Sequence, residues 1–280
     1  MTAPLRSEAV AVPGGGGTAV HARMRGVTRV YGDAATGVRA LAEIDLDLRR
    51  GEFYSVIGPS GCGKSTLLDV LAGLSRPTTG TIEFEGKVLD GVPDGIGVVF
   101  QEDACFAWLT VSDNITFGLR RAGVDTGEVG RRLDYALRLM GLVDFAKSYP
   151  AQLSGGMRQR VCIARTLVMQ PRMILLDEPF GALDAQTRLI MGDKLLKVWR
   201  ETGATVLLIT HALDEAAMLS DRIGIMSARP GRIIEEVETH WPRDRDSRIA
   251  AEHSFGDVTT RLWSVLREES LKSVRQGAGA

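Results

Sequence analysis

Apolar and polar positions along the chain fall into two alternating periods. Leu41-Ala-Glu-Ile-Asp-Leu-Asp-Leu48 alternates apolar and polar residues strictly, and His21 to Val30 does so loosely, as strands with one buried face do. Phe53 to Ile57, Met173 to Leu176 and Val206 to Ile209 are short unbroken apolar runs, the pattern of strands buried on both faces. Thr81 to Phe84, Ile96 to Phe100, Arg222 to Met226 and Arg232 to Val237 read as further strands. Between them the period changes to three and four. Leu67, Leu68, Leu71 and Leu74 predict a helix after Lys64, and residues 112–169 read as mostly helical. Gln186 to Arg200 predicts another helix, and a short one starts at Leu213. Buried strands alternating with helices predict an α/β fold with a mostly parallel sheet covered on both faces.

Both ends depart from this pattern. Residues 1 to about 20, rich in Ala, Gly and Pro, are expected to be a disordered leader. From Trp241 the chain turns charged. Pro242-Arg-Asp-Arg-Asp-Ser-Arg248 alternates in sign and is expected to be a solvated linker. Phe255, Val258, Leu262, Val265 and Leu266 then predict a short amphipathic helix.

Composition narrows the class. With 280 residues, 44% apolar, a core needs no disulfides or structural metal. A formal net charge of -1 argues against a protein built to grip nucleic-acid phosphates. Cys62, Cys105 and Cys162 are odd in number, far apart and form no CxxC pair, so all three are expected to be structural thiols in a reducing compartment. No apolar run reaches the roughly 18 residues that span a bilayer.

Against this background one segment carries chemistry plainly. Gly58-Pro59-Ser60-Gly61-Cys62-Gly63-Lys64-Ser65-Thr66 fits GxxxxGK[ST] between a buried strand and a helical pattern, the context a phosphate loop requires. Glycines let successive backbone N–H groups turn in around phosphate oxygens, and the helix that follows points its positive end at the same anion. Lys64 would neutralise the β- and γ-phosphates of ATP, Ser65 would place a hydroxyl on Mg²⁺, and Thr66 would lie near the α-phosphate. Asp177, ending the strand Met173 to Leu176, supplies a carboxylate for the metal, and Glu178 beside it can accept a proton from attacking water. His211 follows the strand Val206 to Ile209 and Thr210, and so is expected at the same sheet edge, where a ring N–H can stabilise charge on the γ-phosphate. Leu153-Ser154-Gly155-Gly156-Met157 opens another helix, with Ser154 as its cap, and forms a second anion-grade site. Cys62, inside the phosphate loop, is expected to be shielded from thiol reagents by ATP.

Together with Gln101, Leu175-Leu-Asp-Glu-Pro179 and Ala182-Leu-Asp184, these motifs resemble the ATP-binding subunit of an ABC transporter. The resemblance covers about residues 22 to 240. It implies a P-loop NTPase fold: a RecA-like core, an antiparallel β subdomain and a helical subdomain near residues 102–168. The ATPase domain would then run over 21–240, with the linker and helix occupying 241–280. It further implies a head-to-tail homodimer enclosing two ATP molecules. Lys64, Ser65, Gln101, Asp177, Glu178 and His211 of one chain would face one ATP, and Ser154, Gly155 and Gly156 of the other would complete it. In the same family pattern Tyr31 stacks on adenine, Gln101 touches Mg²⁺ and feels the transmembrane partner, and Asp184 crosses the dimer interface.

A finer resemblance, to the nitrate/sulfonate/taurine group of bacterial importers, rests on Gln101 to Asn114, Phe180-Gly-Ala-Leu-Asp184 and Ala228-Arg-Pro-Gly-Arg232. It implies a transmembrane permease, indirectly a substrate-binding protein, and a peripheral place on the cytoplasmic face of the bacterial inner membrane. Two departures stand out. Cys105-Phe-Ala107 replaces two leucines and a proline of that group, at the expected permease contact, and Met157 stands where the wider superfamily often has glutamine. Export or a non-transport role is the alternative. Chromosome-maintenance ATPases of this superfamily separate the two motifs by a long coiled coil, where this chain has about 90 residues without extended heptads, and ribosomal factors usually carry two cassettes. Nucleic-acid partners are therefore not expected.

Overall fold

A computed structural model describes residues 19–32, 37–102 and 104–277. Up to residue 18 the expected leader lies outside the described residues. The strands are β1 (Val20–Tyr31), β2 (Val38–Arg49), β3 (Phe53–Ile57), β4 (Thr79–Phe84), β5 (Lys87–Val88), β6 (Ile96–Val99), β7 (Met173–Asp177), β8 (Thr205–Ile209), β9 (Arg222–Met226) and β10 (Ile233–Glu238). The α-helices are α1 (Lys64–Leu71), α2 (Val111–Arg121), α3 (Thr126–Met140), α4 (Gly155–Leu167), α5 (Ala185–Thr202), α6 (Leu213–Leu219) and α7 (His253–Gly277).

Two sheets result. One is antiparallel, in the order β2-β1-β4-β5. The other runs β10-β9-β3-β8-β7-β6, parallel except for β10 at its edge. Every residue of β3, β7, β8 and β9 is buried, which is why those segments are mostly apolar on both faces instead of alternating. Successive residues still face opposite ways. Ile174 and Leu176 join a core with α2 to α5, whereas Met173 and Leu175 join a second core against α1 and the antiparallel sheet.

Helix ends follow local chemistry. Thr110 caps α2 and Asp184 caps α5, each accepting from a backbone N–H three residues on. The first helix stops earlier than the leucine period predicts. Gly73 turns the chain at φ 72°, and a Cβ there would lie 2.0 Å from the Gly91 carbonyl oxygen, so Leu74 falls outside the buried face and is half exposed.

The charged segment after Trp241 is solvated only in part: Pro242, Asp244 and Arg248 are exposed, but the rest folds against the body. Arg245 is buried: its guanidinium donates to Asp221 at 2.8 Å and to the Leu219 carbonyl, and lies over the Trp199 ring. Arg243 covers the same ring at 4.1 Å. Alternating charge signals solvent only where no ring and carboxylate lie within reach of long cationic stems. The helix beyond is longer than its apolar positions suggest. α7 spans 25 residues, burying Phe255, Leu262 and Leu266.

Candidate active site

Parallel strands deliver their C-terminal ends to one edge of the sheet, and the sequence-predicted chemistry gathers there. Gly58 to Gly63 leave β3 as a tight loop into α1. Gly63 caps the helix at φ 110°, and a Cβ on it would lie 2.8 Å from the Ala40 carbonyl, so only glycine fits. Gly58 is equally close-set, between Cys62 and Met226. Lys64 is buried, and its Nζ donates to the carbonyls of Gly58 (2.9 Å) and Pro59 (3.0 Å), across the mouth of the loop. Pro59, Ser60 and Gly61 form the outer turn, with Gly61 at φ 70°.

Cys62 is buried at 1% exposure and its thiol is pushed up, chiefly by burial. Burial by the protein itself therefore leaves little of this thiol for a bound nucleotide to shield.

Asp177 is 7% exposed, and burial raises its carboxyl above the ordinary value despite a hydrogen bond from Ser65. Its Oδ1 is buried without a hydrogen-bond partner. A carboxylate oxygen desolvated and left open, with a hydroxyl on the same carboxylate, is the donor set a hard cation takes. Among the described residues no group of three or more His, Cys, Asp or Glu could form an all-protein metal cage. A Mg²⁺ held here would complete its shell with phosphate oxygens and water.

Glu178 sits at φ 46°, a strained setting for a non-glycine residue, fixed by its N–H donating to the Ile209 carbonyl. That backbone aims its carboxylate at two partners. Gln101 Nε2 donates to Glu178 Oε2 at 3.2 Å, and His211 Nδ1 lies 3.2 Å from the same oxygen. Gln101, Glu178 and His211, from three strand ends, thus meet at one point. Behind them Thr210 donates to buried Glu215, whose carboxyl is raised by burial.

A pocket of about 430 Å³ opens over this loop, lined by Tyr31, Val38, Ala40, the phosphate loop, Gln101, Glu178 and Arg229. Tyr31 donates to the Thr66 hydroxyl at 3.4 Å, and one ring face is covered by Arg29 at 4.6 Å. Arg229 is the residue that sequence reasoning missed as a site residue. Its Nε donates to the Gly61 carbonyl at 3.2 Å, which sets a cation on the pocket rim. The available signal was its place in the Ala228 to Arg232 stretch.

Asp177, His211, Ser154, Gly155, Gly156 and Asp184 are not among the residues lining this pocket, although His211 touches Glu178 at its wall. Ser154 is exposed and caps α4 through the Met157 N–H at 3.3 Å. Gly156 packs on the turn before α5: a Cβ there would lie 2.6 Å from Leu183. Asp184 is exposed, its carboxyl held low by the hydroxyl and N–H of Thr187.

A strand, a phosphate loop and a helix, with carboxylates at the end of the next strand but one, define a P-loop nucleotide hydrolase. A family model described as ABC transporter matches residues 41–181. An ABC transporter ATP-binding protein of Methanocaldococcus jannaschii is 44% identical over 91% of this chain and 95% of its own length. A taurine import ATP-binding protein of Pelagibacter ubique is 48% identical over 82% and 90%, and a nitrate import ATP-binding protein of Synechocystis sp. 39% identical over 89% and 96%. Among solved structures, a dimeric bacterial ABC transporter cassette aligns with a TM-score of 0.72 and 33% identity, covering 78% of this chain and 98% of that one. A dimeric cassette in a post-hydrolysis state bound to ADP and Pi aligns with a TM-score of 0.71. The chain belongs to the ABC transporter family as an ATP-binding cassette, and it binds and hydrolyses ATP.

Proposed function

We propose that this chain is the ATPase subunit of a bacterial importer for a small anionic solute of the nitrate, sulfonate or taurine kind, and that two copies close head to tail around two ATP molecules. The observation that carries the shared site is a division within one chain. Lys64, Asp177, Glu178, Gln101 and His211 gather at one sheet edge, while the Ser154 cap is exposed and the two glycines after it are half-buried, all three away from the pocket over the phosphate loop. An exposed helix start with open N–H groups is an anion site without an anion partner of its own. A two-fold dimer would bring it to the phosphates held by the other copy. The curated relatives named for taurine and nitrate import support the direction and the solute class, and they do not favour export.

In this reading Ser65 and Asp177 would hold Mg²⁺, which would supply charge neutralisation at the phosphates. Lys64 exchanges its two loop carbonyls for phosphate oxygens. Glu178 takes the proton of the attacking water, with Gln101 and His211 orienting its carboxylate and His211 donating to the departing phosphate. Tyr31 lays its free face on adenine, Arg229 adds positive charge at the rim, and Asp184 of one copy meets the other copy. Trp108, 74% exposed, lies seven residues after Gln101 and offers an apolar anchor for a membrane permease. Among the described residues no helix is long and apolar enough to cross a membrane, so attachment to the cytoplasmic face of the inner membrane would run through that permease. A substrate-binding protein would act on the far side of it.

The test is subunit mixing. Ser154→Arg and Lys64→Ala should each lose turnover alone, while the Ser154→Arg chain still binds ATP. Mixed, they should regain part of the parent turnover, because each mixed dimer holds one intact site. No regain on mixing would overturn the shared site.

A further inference from the structure

Cys105 and Cys162 are 57 residues apart in sequence, yet their sulfurs lie 3.5 Å apart. We propose that these two thiols form a modification site, which a low-molecular-weight disulfide such as oxidised glutathione converts into a Cys105–Cys162 bridge that fixes the segment after Gln101 to the helix carrying Ser154.

The surroundings prepare this pairing. Cys105 sits in a loop, partly exposed, where a small reagent can reach it, and Cys162 is buried on α4. The loop is pinned on both sides of Cys105. Arg165 Nη1, from α4, donates to the Ala104 carbonyl at 2.8 Å, and its guanidinium lies 4.8 Å over the Phe106 ring. The Phe106 N–H donates to Asn114 Oδ1 at 2.8 Å, and Asn114 Nδ2 returns a bond to the Phe106 carbonyl. The Cys105 thiol itself sits 3.5 Å from the Arg158 carbonyl, one turn before Cys162. Two sulfurs held this near need only about 1.5 Å of approach to reach a bond of about 2.05 Å. Holding them there replaces a bimolecular encounter with an intramolecular one.

The chemistry balances as two exchanges. The Cys105 thiolate attacks one sulfur of the reagent, forms a mixed disulfide and releases one thiol. The Cys162 thiolate then attacks the Cys105 sulfur and releases the second thiol. The protein loses two electrons and two protons, and the reagent takes them up as two thiols.

The consequence for turnover follows from what each cysteine is attached to. Gln101, four residues before Cys105, reaches Glu178 at 3.2 Å, and Trp108 projects three residues after it. Ser154 opens the helix on which Cys162 sits. A covalent bridge removes relative movement between these parts. Bridge formation stands on the geometry alone, whereas the effect on turnover rests on the composite-site reading above.

The experiment uses the purified full-length chain, incubated with oxidised glutathione and then alkylated. Intact mass should show the loss of two hydrogens, and a non-reducing peptide map should join the Cys105 and Cys162 peptides. ATP turnover should fall by about tenfold or more, as small misplacement of orienting groups does, and return with dithiothreitol. Cys105→Ser and Cys162→Ser should each keep parent turnover before and after the oxidant. Glutathione adducts without an internal bridge, or a bridge to Cys62 or to a second chain, would overturn the site. A Cys105–Cys162 bridge with unchanged turnover would overturn the coupling to Gln101 and leave the modification site standing. A bridge that slows turnover in a chain whose Ser154→Arg and Lys64→Ala variants do not complement would count against the shared site and not against the dithiol.

Discussion

The parallel sheet has two ends, and both bury charge, but they treat it in opposite ways. At the N-terminal end the buried cations are paired with carboxylates or carbonyls, although Arg243 Nη2 and Arg245 Nε lack a hydrogen-bond partner of their own. Arg222 donates to Glu52 at 2.9 Å and to Glu236 at 2.6 Å. Arg245 reaches Asp221 and the Leu219 carbonyl, with its guanidinium 4.7 Å over the Trp199 ring. At the C-terminal end the charges are left incomplete: Asp177 Oδ1 has no partner, Lys64 holds only loop carbonyls, and Glu178 is strained to present one oxygen to Gln101 and His211. Closed charges hold a fold, and open ones hold a ligand. The same distinction separates stability from function in other parallel β/α architectures, where the sites lie beyond the strand C-termini.

The contrast is most easily broken at Glu178. Glu178→Gln should keep ATP binding and trap the closed dimer, while turnover falls by about 10²- to 10⁴-fold, the usual worth of a positioned base. ATP-stimulated dimerisation with turnover close to the parent would remove Glu178 from that role.

Legibility divided along the same line. The C-terminal edge was readable because each of its residues sits at a strand end or in a fixed spacing: Lys64 by the glycines before it, Asp177 and His211 by the apolar runs they follow. The N-terminal edge was not. Arg245 belongs to a segment that reads as solvated, and only the fold brings Asp221 and Trp199 beside it. Arg229 went unrecognised for a related reason, since its partner Gly61 is 168 residues away in sequence. Likewise Cys105 and Cys162 read as distant structural thiols until α4 laid one beside the other. Periodicity reports which face of an element is buried, but not which distant side chain it meets there.

At the closed end, removing one partner should cost stability and nothing else. Arg222→Met leaves Glu52, 2% exposed, without its cation. The expected loss is about 3–5 kcal/mol by chemical denaturation, with turnover per folded molecule unchanged. A loss of turnover at full folding would mean that the two ends are coupled.

At the open end, the corresponding change should act with the opposite sign. The Asp177 carboxyl is raised in the fold, mainly by burial, so the folded state binds more protons than the unfolded one between the two pKa values. Stability contributed by this group falls as pH rises through that window, and at neutral pH the ionised carboxylate is a net cost. Asp177→Asn should therefore stabilise the metal-free chain by on the order of 1 kcal/mol while losing Mg²⁺-dependent turnover. Destabilisation by that substitution would show that the carboxylate is satisfied without a ligand.

The smallest effect tests whether the closed end stays closed in acid. His21, on β1, accepts or donates at 2.6 Å to Thr205, the first residue of β8, and so ties the antiparallel sheet to the N-terminal end of the parallel one. Burial, and then the charge of Arg50, push its imidazole below the ordinary 6.5. The unfolded chain therefore takes up a proton before the folded chain does, and stability falls as pH drops through 6.5 toward the folded value. Its neighbour Glu85 is held low, because hydrogen bonds from Arg172 and His21 outweigh its burial, so its contribution is lost only further into acid. Between pH 7 and 5 the parent should lose up to about 1 kcal/mol that His21→Gln, which can still reach Thr205 but cannot titrate, does not lose. Parallel pH profiles for the two chains would instead place the acid-sensitive contact elsewhere, and the seam between the sheets would then be held by its apolar core and its other bonds, not by His21.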